Sequence, residues 1–449
     1  MRICIALVVM MFFSLTAHSR EELAAYPLPE DASLFLIGVG LSLGGTVFVL
    51  PGWPIDSVTP GSRTRWLDGF ASAGPSLDYG VAVGASGLTQ YPLIFELGGA
   101  LTAASGEQIS SQLLTGKGSL LLTGEAASAG TINLATGPVG GNIIADGTIH
   151  ISDSTGDTVT INSTASSVIG TNAQISSFAY SQTNTGLAFI ALTTDGTGAE
   201  AAAYGAIADD RGFSFIGVGD VDGSNITSSV RNTLFHTSHQ LSVAVPISLN
   251  HGWAITPRIG PTYRHLGDAV DRITQIDIDE GGALSPKTPL ISLSHRDELT
   301  SHYLGVIAGI SISGPIASGW RFALGVEGGL AGFWTNYNGS STTIFPGTRD
   351  INLPGQTGSL SGVTGLGGIK GSITHSLSNG TLITLTAHAD YLADVPFLQN
   401  TQVNAPNASY TAGQSVAAFS STAETYSTNA IGITSSWLLG ARLSFARSF

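Results

Sequence analysis

The second half of the chain alternates between apolar residues and small or polar residues at every second position. Between 235 and 247, Phe235, Leu241 and Val243 fall on one face, whereas Ser238 and Gln240 fall on the other. Successive side chains of a β-strand point to opposite faces, so this alternation predicts strands with one apolar and one polar face.

The predicted strands come in pairs that are joined by short turns and separated by long polar segments. We predict turns at 249–252, 315–319 and 376–380, and long loops at 267–299, at 336–360 and after 391. In the strand that follows 319, Leu324 and Val326 share the apolar face, and Gly325 and Glu327 share the other. Short turns that alternate with long loops are typical of membrane β-barrels.

The segment 434–449 predicts one more strand of this kind. Trp437, Leu439, Leu443, Phe445 and Phe449 share its apolar face. A strand that ends in an aromatic residue resembles the last strand of Gram-negative outer-membrane β-barrel proteins, although Arg447 stands where that family prefers an apolar residue. The resemblance implies that Leu443, Phe445 and Phe449 form the signal that the barrel-assembly machinery reads.

The first 19 residues have the pattern of a secretory signal peptide. Arg2 is followed by an apolar run at 3–15 and by the small-residue cleavage pattern Ala17-His18-Ser19. This run is too short for a membrane-spanning helix, which needs about 20 apolar residues. Cys4 is the only cysteine and lies inside the signal, so we expect a secreted chain without disulfides. A polar lead-in follows at 20–32.

Composition supports a chain that crosses a membrane as strands. Charged residues make up 11% of the sequence, whereas ordinary soluble domains contain about 25%. The mean hydropathy of +0.27 arises without a long apolar run after the signal, which indicates apolar residues spread over alternating strands. The net charge of −14 argues against nucleic acid as a partner.

These patterns predict an all-β fold, a transmembrane antiparallel β-barrel of about 12 strands, with about 10 to 14 possible. Residues 33–103 supply barrel strands or a plug. Residues 104–177 are rich in Ser, Thr and Gly and form an insertion, either an extracellular loop or a small β-subdomain, with a β-solenoid as the other alternative. Residues 178–449 form the main barrel, and strands near 199–208 and 212–219 belong to it. Pro257 and Pro261 interrupt one barrel strand and predict a bulge there.

Aromatic residues at strand ends predict the girdles that mark the two membrane surfaces. At about 3.3 Å per residue and a 45° tilt, the strand from Trp320 to Trp334 rises roughly 33 Å, enough to cross the apolar band. The predicted girdle residues are Trp253, Tyr263, Trp320, Trp334, Tyr391 and Trp437.

Charged and polar residues on the inward faces are candidates for lining a pore. They are Arg258, Arg264, Arg321, Glu327, Lys370, His388 and Arg442. The alternation of side chains along the strands places Arg258, Glu327, Lys370, His388 and Arg442 in one layer of the interior. This layer has three cations and a single carboxylate, that of Glu327, which predicts a constriction that favours anions. In the alternative interpretation, Glu327 pairs with a neighbouring arginine and the network only supports the barrel.

The sequence shows no catalytic motif, and its histidines show no metal-ligand spacing, so we expect neither an enzyme nor a cofactor. Asp277, Asp279 and Glu280 form a weak candidate site for Ca²⁺ or for divalent ions bridging lipopolysaccharide, although such runs are more often solvated loops.

The leading functional hypothesis is a porin-like passive channel for small solutes in the outer membrane of a Gram-negative bacterium. One alternative is a surface-exposed binding or adhesion protein anchored by its barrel. The other is an autotransporter-like translocator, because the segment from about 176 to 449 has the length of such a barrel and 256–266 loosely resembles its Pro-containing strand. Expected partners are outer-membrane lipid and lipopolysaccharide, the barrel-assembly machinery, small solutes and host or surface ligands.

Overall fold

A computed structural model describes residues 36–50, 70–85, 93–113, 117–123, 130–209, 212–278, 291–344, 350–377, 381–402, 407–411, 416–421 and 427–447. The predicted signal peptide at 1–19, the lead-in at 20–32 and the predicted terminal residue of the assembly signal, Phe449, lie outside the described residues. No helix in the described part of the chain is long and apolar enough to cross a membrane.

Twenty-one strands follow one another along the described residues. They are β1 (Leu36–Leu50), β2 (Phe70–Ala85), β3 (Leu93–Leu113), β4 (Lys117–Thr123), β5 (Gly130–Val139), β6 (Asn142–Ser152), β7 (Thr158–Val168), β8 (Gln174–Gln182), β9 (Leu187–Asp195), β10 (Glu200–Asp209), β11 (Gly212–Asp220), β12 (Asn225–Ala244), β13 (Ile247–Ser248), β14 (Ala254–Asp277), β15 (Ile291–Ala317), β16 (Trp320–Ile344), β17 (Ile351–Ser376), β18 (Thr381–Gln402), β19 (Asn407–Thr411), β20 (Val416–Ser421) and β21 (Ser427–Arg447).

The largest sheet closes on itself. Its 11 strands include β13, a two-residue strand beside a turn, and the other ten form a ring in which every pair of neighbours is antiparallel. Chain order runs around the ring as β1, β2, β3, β12, β14, β15, β16, β17, β18 and β21, and β21 pairs with β1. The predicted antiparallel barrel is therefore confirmed, with ten strands among the described residues.

The lower half of the ring carries its apolar side chains outside. Leu324 and Val326 are exposed on β16, whereas Gly325 and Glu327 at the alternate positions point inward. On β15 the outward positions are Leu304, Val306 and Ile310. An apolar outer surface with small or polar inward residues suits a barrel that is surrounded by lipid.

In the upper half of the ring the outward positions are mostly polar, whereas the inward positions are mixed. Beyond His265 on β14, Asp271 and Gln275 point outward, and the buried inward positions include both Ile276 and Arg272. The long loops predicted at 267–299 and 336–360 are therefore wrong for most of their length, because β14, β15, β16 and β17 continue through them. Polar side chains on the outer face fit strands that extend above the membrane into water.

A β-sandwich sits on the upper end of the barrel, and we call it the cap. One of its sheets has the order β4-β11-β10-β9-β8, and the other has the order β19-β20-β5-β6-β7. Their facing sides form a buried core that includes Ile132, Ile149, Ile190 and Ile207. Most of the segment predicted as an insertion forms cap strands from β4 onward, but its first residues, 104–113, continue β3 of the barrel. β19 and β20 from the last predicted loop complete the second sheet of the cap.

The cap packs on the barrel through the other face of its first sheet. Phe189, Tyr204 and Phe215 belong to one buried apolar cluster with residues of the extended strands and of the segments at their ends, which we call the rim. The rim consists of Val221, Ile226, Ile276, Ile278, Ile291 and Leu293. Both faces of β9 and β10 are consequently buried. The assignment of 199–208 and 212–219 to the barrel is wrong, and so is a main barrel that starts at 178, because these segments are cap strands.

The two prolines of β14 do not produce the predicted bulge. The β12–β14 ladder pairs Gln240 with Thr262 and Val243 with Ile259, so it skips the positions opposite Pro261 without a shift in register. Gly260 allows the chains to approach there, because a Cβ atom at that position would collide with the Leu241 carbonyl. The ladder therefore tolerates a missing N–H donor without an extra residue.

Candidate functional site

The barrel interior contains a polar cavity of about 140 Å³ at the level of the membrane. Six of the seven predicted pore-lining residues lie around it. These six are Arg258, Arg264, Glu327, Lys370, His388 and Arg442. The seventh, Arg321, is not among its lining residues and lies nearer the turn end of β16, opposite Pro315 and Thr374. A cavity of this size and polarity has room for several water molecules or a small solute.

Two ion pairs in the cavity each join strands that are separated by one other strand, β14 to β16 across β15 and β21 to β2 across β1. Arg258 Nη2 lies 3.2 Å from Glu327 Oε2, and Arg442 forms an ion pair with Asp78. All four side chains are largely buried, so removing one partner would leave an uncompensated charge in a poorly solvated site. Glu327 thus has the arginine partner that the structural interpretation required.

Two further carboxylates change the predicted charge balance. Asp78 and Asp390 line the same cavity as the predicted cations. Arg258, Arg264, Lys370 and Arg442 therefore oppose three carboxylates rather than Glu327 alone. The alternation of side chains along β2 and β18 places both aspartates on inward faces. The same alternation that predicted the cations could therefore have identified these two carboxylates.

An apolar layer lies directly above the polar cavity and crosses the barrel. Its buried side chains come from nine of the ten ring strands. They are Phe48, Ala104, Leu234, Leu266, Tyr303, Ala331, Phe333, Leu366, Leu392, Val395 and Leu438. These side chains form one connected buried cluster, and a small void of about 10 Å³ lies between it and the polar side chains of His236, Arg264 and Asp390. Apolar packing of this kind opposes the passage of water and ions.

A second buried polar cluster lies above the apolar layer and above the membrane. Asn232 donates a hydrogen bond to Asp268 and accepts one from Ser72, with an oxygen–oxygen distance of 2.9 Å for the second bond. Arg272 Nη2 binds Asp297 Oδ2 at 3.0 Å. Burial raises the pKa of Asp268 to about 7, and the nearby Asp297 carboxylate adds to this effect, whereas the Asn232 hydrogen bond opposes it.

A buried aspartate organises one loop of the cap. Asp153 Oδ1 accepts hydrogen bonds from the Thr155 amide at 2.9 Å, the Thr155 hydroxyl at 2.7 Å and the Asp157 amide at 2.9 Å. Its Oδ2 accepts one from the Thr185 amide at 3.2 Å. Burial raises the pKa of Asp153, but these hydrogen bonds outweigh that effect and hold the pKa well below its usual range.

Aromatic and histidine rings follow one another around the outer surface of the barrel. The Tyr79 hydroxyl bonds His239, whose ring stacks on Tyr263 at a centroid distance of 6.0 Å. His302 stacks on Trp334 at 5.2 Å. This series, which we call the upper girdle, lies where the outward side chains change from apolar to polar.

The predicted girdle residues all lie on the outer side of the ring. Trp320, at the turn end of β16, stacks on His375 at 4.3 Å, and Trp253 packs over Gly314. Tyr391 and Trp437 are neighbours across β18 and β21 at 4.8 Å. Leu443 of the predicted assembly signal points outward on β21. Nothing is described for the side chain of Phe445.

The described residues contain no group of three or more His, Cys, Asp or Glu side chains that could hold a metal ion. Asp277 ends β14, while Asp279 and Glu280 of the weak candidate calcium site lie outside the described residues.

Comparisons with known proteins found no matching family model and no curated relative. Solved structures similar to this chain include a Pseudomonas aeruginosa FadL homologue, with 8% identity over 92% of this chain and 90% of that one and a TM-score of 0.21. The Pseudomonas putida toluene transporter TodX has 8% identity over 95% and 91%, with a TM-score of 0.16. OmpT, an outer membrane protein of Vibrio cholerae, has 8% identity over 90% and 97%, with a TM-score of 0.14.

The geometry of the ring decides the class of protein. A closed antiparallel ring, an apolar outer band and aromatic residues near both edges of that band are together the construction of bacterial outer-membrane barrels. The chain is an outer-membrane β-barrel. Its place is the outer membrane of a Gram-negative bacterium.

Proposed function

We propose that this outer-membrane β-barrel is an anchor that holds the cap at the cell surface, where the cap serves binding or adhesion. The apolar layer carries the proposal. It joins side chains from nine ring strands, and the rim with the cap face that packs on it forms a second apolar layer higher in the barrel. A barrel filled in this way is suited to support a surface domain rather than to conduct solutes.

The polar cavity favours a second candidate, the porin-like channel. Charged side chains of both signs line it, as they line the constrictions of selective pores. For this candidate to hold, the apolar layer or the cap must move to open a path above the cavity. The two candidates therefore differ in one measurable property, the conductance of the chain with and without its cap.

The strand register allows the cap to be removed cleanly. Leu113 and Asn225 are register partners, and so are Gln402 and Ser427. Replacing 114–224 and 403–426 each by Asn-Gly would close the two hairpins with the favoured two-residue turn. Changing the rim residues Ile226, Ile276, Ile291 and Leu293 to Thr would make the freed wall polar.

The test is single-channel conductance in planar bilayers. We expect no conductance steps from the full chain and none from the capless variant, because the apolar layer remains in both. Steps from the capless variant alone would show that the cap gates a channel, and steps from the full chain would indicate an open pore. Either result would overturn the anchor proposal. Cleavage of the cap by protease added to intact cells would support its display at the surface.

A further inference from the structure

Two histidines meet on the outer surface of the barrel, within the upper girdle. His265 on β14 and His302 on β15 are register partners, and their Nδ1 atoms lie 3.4 Å apart. The Tyr263 hydroxyl lies 2.9 Å from Nδ1 of His302. Two potential ligand atoms, both on β14, therefore lie close to Nδ1 of His302, which is itself a third.

We propose that His265, His302 and Tyr263 bind a transition-metal ion of the Zn²⁺ or Cu²⁺ class. Imidazole nitrogen is a preferred ligand for both ions. With metal–nitrogen bonds of about 2.0–2.1 Å, two ligands of a tetrahedral ion lie about 3.4 Å apart, and two ligands at a right angle lie about 2.9 Å apart. The 3.4 Å between the two Nδ1 atoms matches the first value, and the 2.9 Å between the Tyr263 hydroxyl and Nδ1 of His302 matches the second.

The neighbouring rings hold the donors in place. His302 stacks on Trp334 with an interplanar angle of 21°. Phe235 and His265 form an edge-to-face pair with ring centroids 6.2 Å apart. Tyr263 stacks on His239 with an interplanar angle of 14°. Ligands that are fixed by packing lose little freedom when the ion binds, so the arrangement is preorganised.

The position of the three side chains leaves the site open to the outer phase. All three are half-buried, and the next outward positions above them, Gly267 and Thr300, bear no apolar side chain. The described residues contain no group of three or more His, Cys, Asp or Glu side chains that could hold a metal ion, so the proposed ion would take its remaining ligands from water. The sequence could not suggest this site, since 37 residues separate the two histidines.

The test uses the untagged, folded full chain in detergent after removal of metals with a chelator. Cu²⁺ is titrated while tryptophan fluorescence is followed, because a Cu²⁺ ion bound by His302 would quench the stacked Trp334. We expect quenching that saturates at one ion per chain, and reversal when the chelator is added back. Electron paramagnetic resonance of the copper complex should show coupling to imidazole nitrogen.

Variants assign the binding to the proposed ligands. His265→Gln and His302→Gln should each weaken binding by at least about tenfold, since even changes outside the ligand set cost that much. His375→Gln is the matched control, because His375 also stacks on a tryptophan, Trp320, at the other girdle. This control should bind as the unchanged chain does.

Heat-modifiable gel mobility verifies that each variant is folded, and either histidine variant suffices if the other fails to fold. The proposal is wrong if the unchanged chain shows no saturable quenching. It is equally wrong if a folded His265→Gln or His302→Gln variant binds Cu²⁺ with undiminished affinity, because the ion would then lie elsewhere.

Discussion

Replacing one side chain of the apolar layer gives a sharp test of the filled barrel. Phe333 is 4% exposed and packs against Tyr303 with ring centroids 6.0 Å apart. Trp334, the next residue of β16, points outward and is 43% exposed. The two residues are adjacent in sequence and similar in size, but they face opposite sides of the wall.

We expect Phe333→Ala to lower the free energy of unfolding by about 3–5 kcal/mol, because the change leaves a cavity among buried side chains. Trp334→Ala should cost less than Phe333→Ala, because much of the Trp334 side chain is already exposed; its ring contact with His302 contributes about 1 kcal/mol beyond the buried area. The difference between the variants separates the contribution of interior packing from that of the outer surface.

The measurement is urea unfolding of the refolded chain in lipid vesicles, followed by fluorescence and by gel mobility. The reasoning fails if Phe333→Ala costs less than Trp334→Ala, since the interior would then not be packed at this level. The double variant Tyr303→Ala with Phe333→Ala should in addition produce conductance steps, whereas Trp334→Ala should produce none.

Three further predictions follow from other parts of the molecule. Leu324→Arg should cost about 2–4 kcal/mol and reduce the folded fraction on gels, because it places a charge on the lipid face. Gly325→Ala should leave that fraction unchanged, since the added Cβ would meet ordinary contacts of 3.4 Å or more. Asp153→Ala should lower cap stability by about 2–3 kcal/mol, seen as faster proteolysis of the cap near residue 155, because it removes hydrogen bonds to a charged group. In the unchanged chain that contribution should fade as the pH falls below about 4 toward the lowered pKa of Asp153. The pKa of Asp268 is raised to about 7. The folded state therefore keeps a proton that the unfolded chain releases near pH 4, and stability should fall between about pH 4 and pH 7. Asp268→Asn should flatten this slope in urea midpoints, and an unchanged slope would contradict the raised pKa.

Alternation predicted the membrane-spanning half of the barrel well. In β15, β16 and β21, the outward positions carry Leu304, Val326 and Leu439, as their spacing indicated. This agreement arises because the outward side chains contact lipid, which favours apolar residues at every second position whatever the rest of the fold. Period-two patterning therefore identified the strands and their faces without any knowledge of their partners.

The site was only partly predictable. Parity found six of the cavity-lining residues, since orientation depends only on position along a strand. It could not find the pairing of Arg442 with Asp78, because these residues are separated by 364 positions and meet only when the ring closes. The same limit applies to His265 and His302, whose contact depends on the register of two strands.

The failure above the membrane has a physical reason in the surrounding solvent. Below the upper girdle, lipid covers the outer face, and β14 places Ile259 outward. Above it, water covers that face, and the same strand places Asp271 outward and Val270 inward. Above the girdle, outward positions are mostly polar, so the pattern that identified the strands fades there. The hydrogen-bond ladder between β14 and β15 nevertheless continues to Ile276.

The inversion also explains why the cap and the barrel belong together. Once the extended strands turn their apolar side chains inward, the rim encloses a buried surface that needs a partner. The cap supplies it with the face of β9, β10 and β11 that carries Phe189, Tyr204 and Phe215. Lipid cannot reach the inside of the ring, so only protein can cover the rim. A sequence that changes its outward pattern partway along a strand therefore predicts both the height of the membrane and the presence of a domain above it.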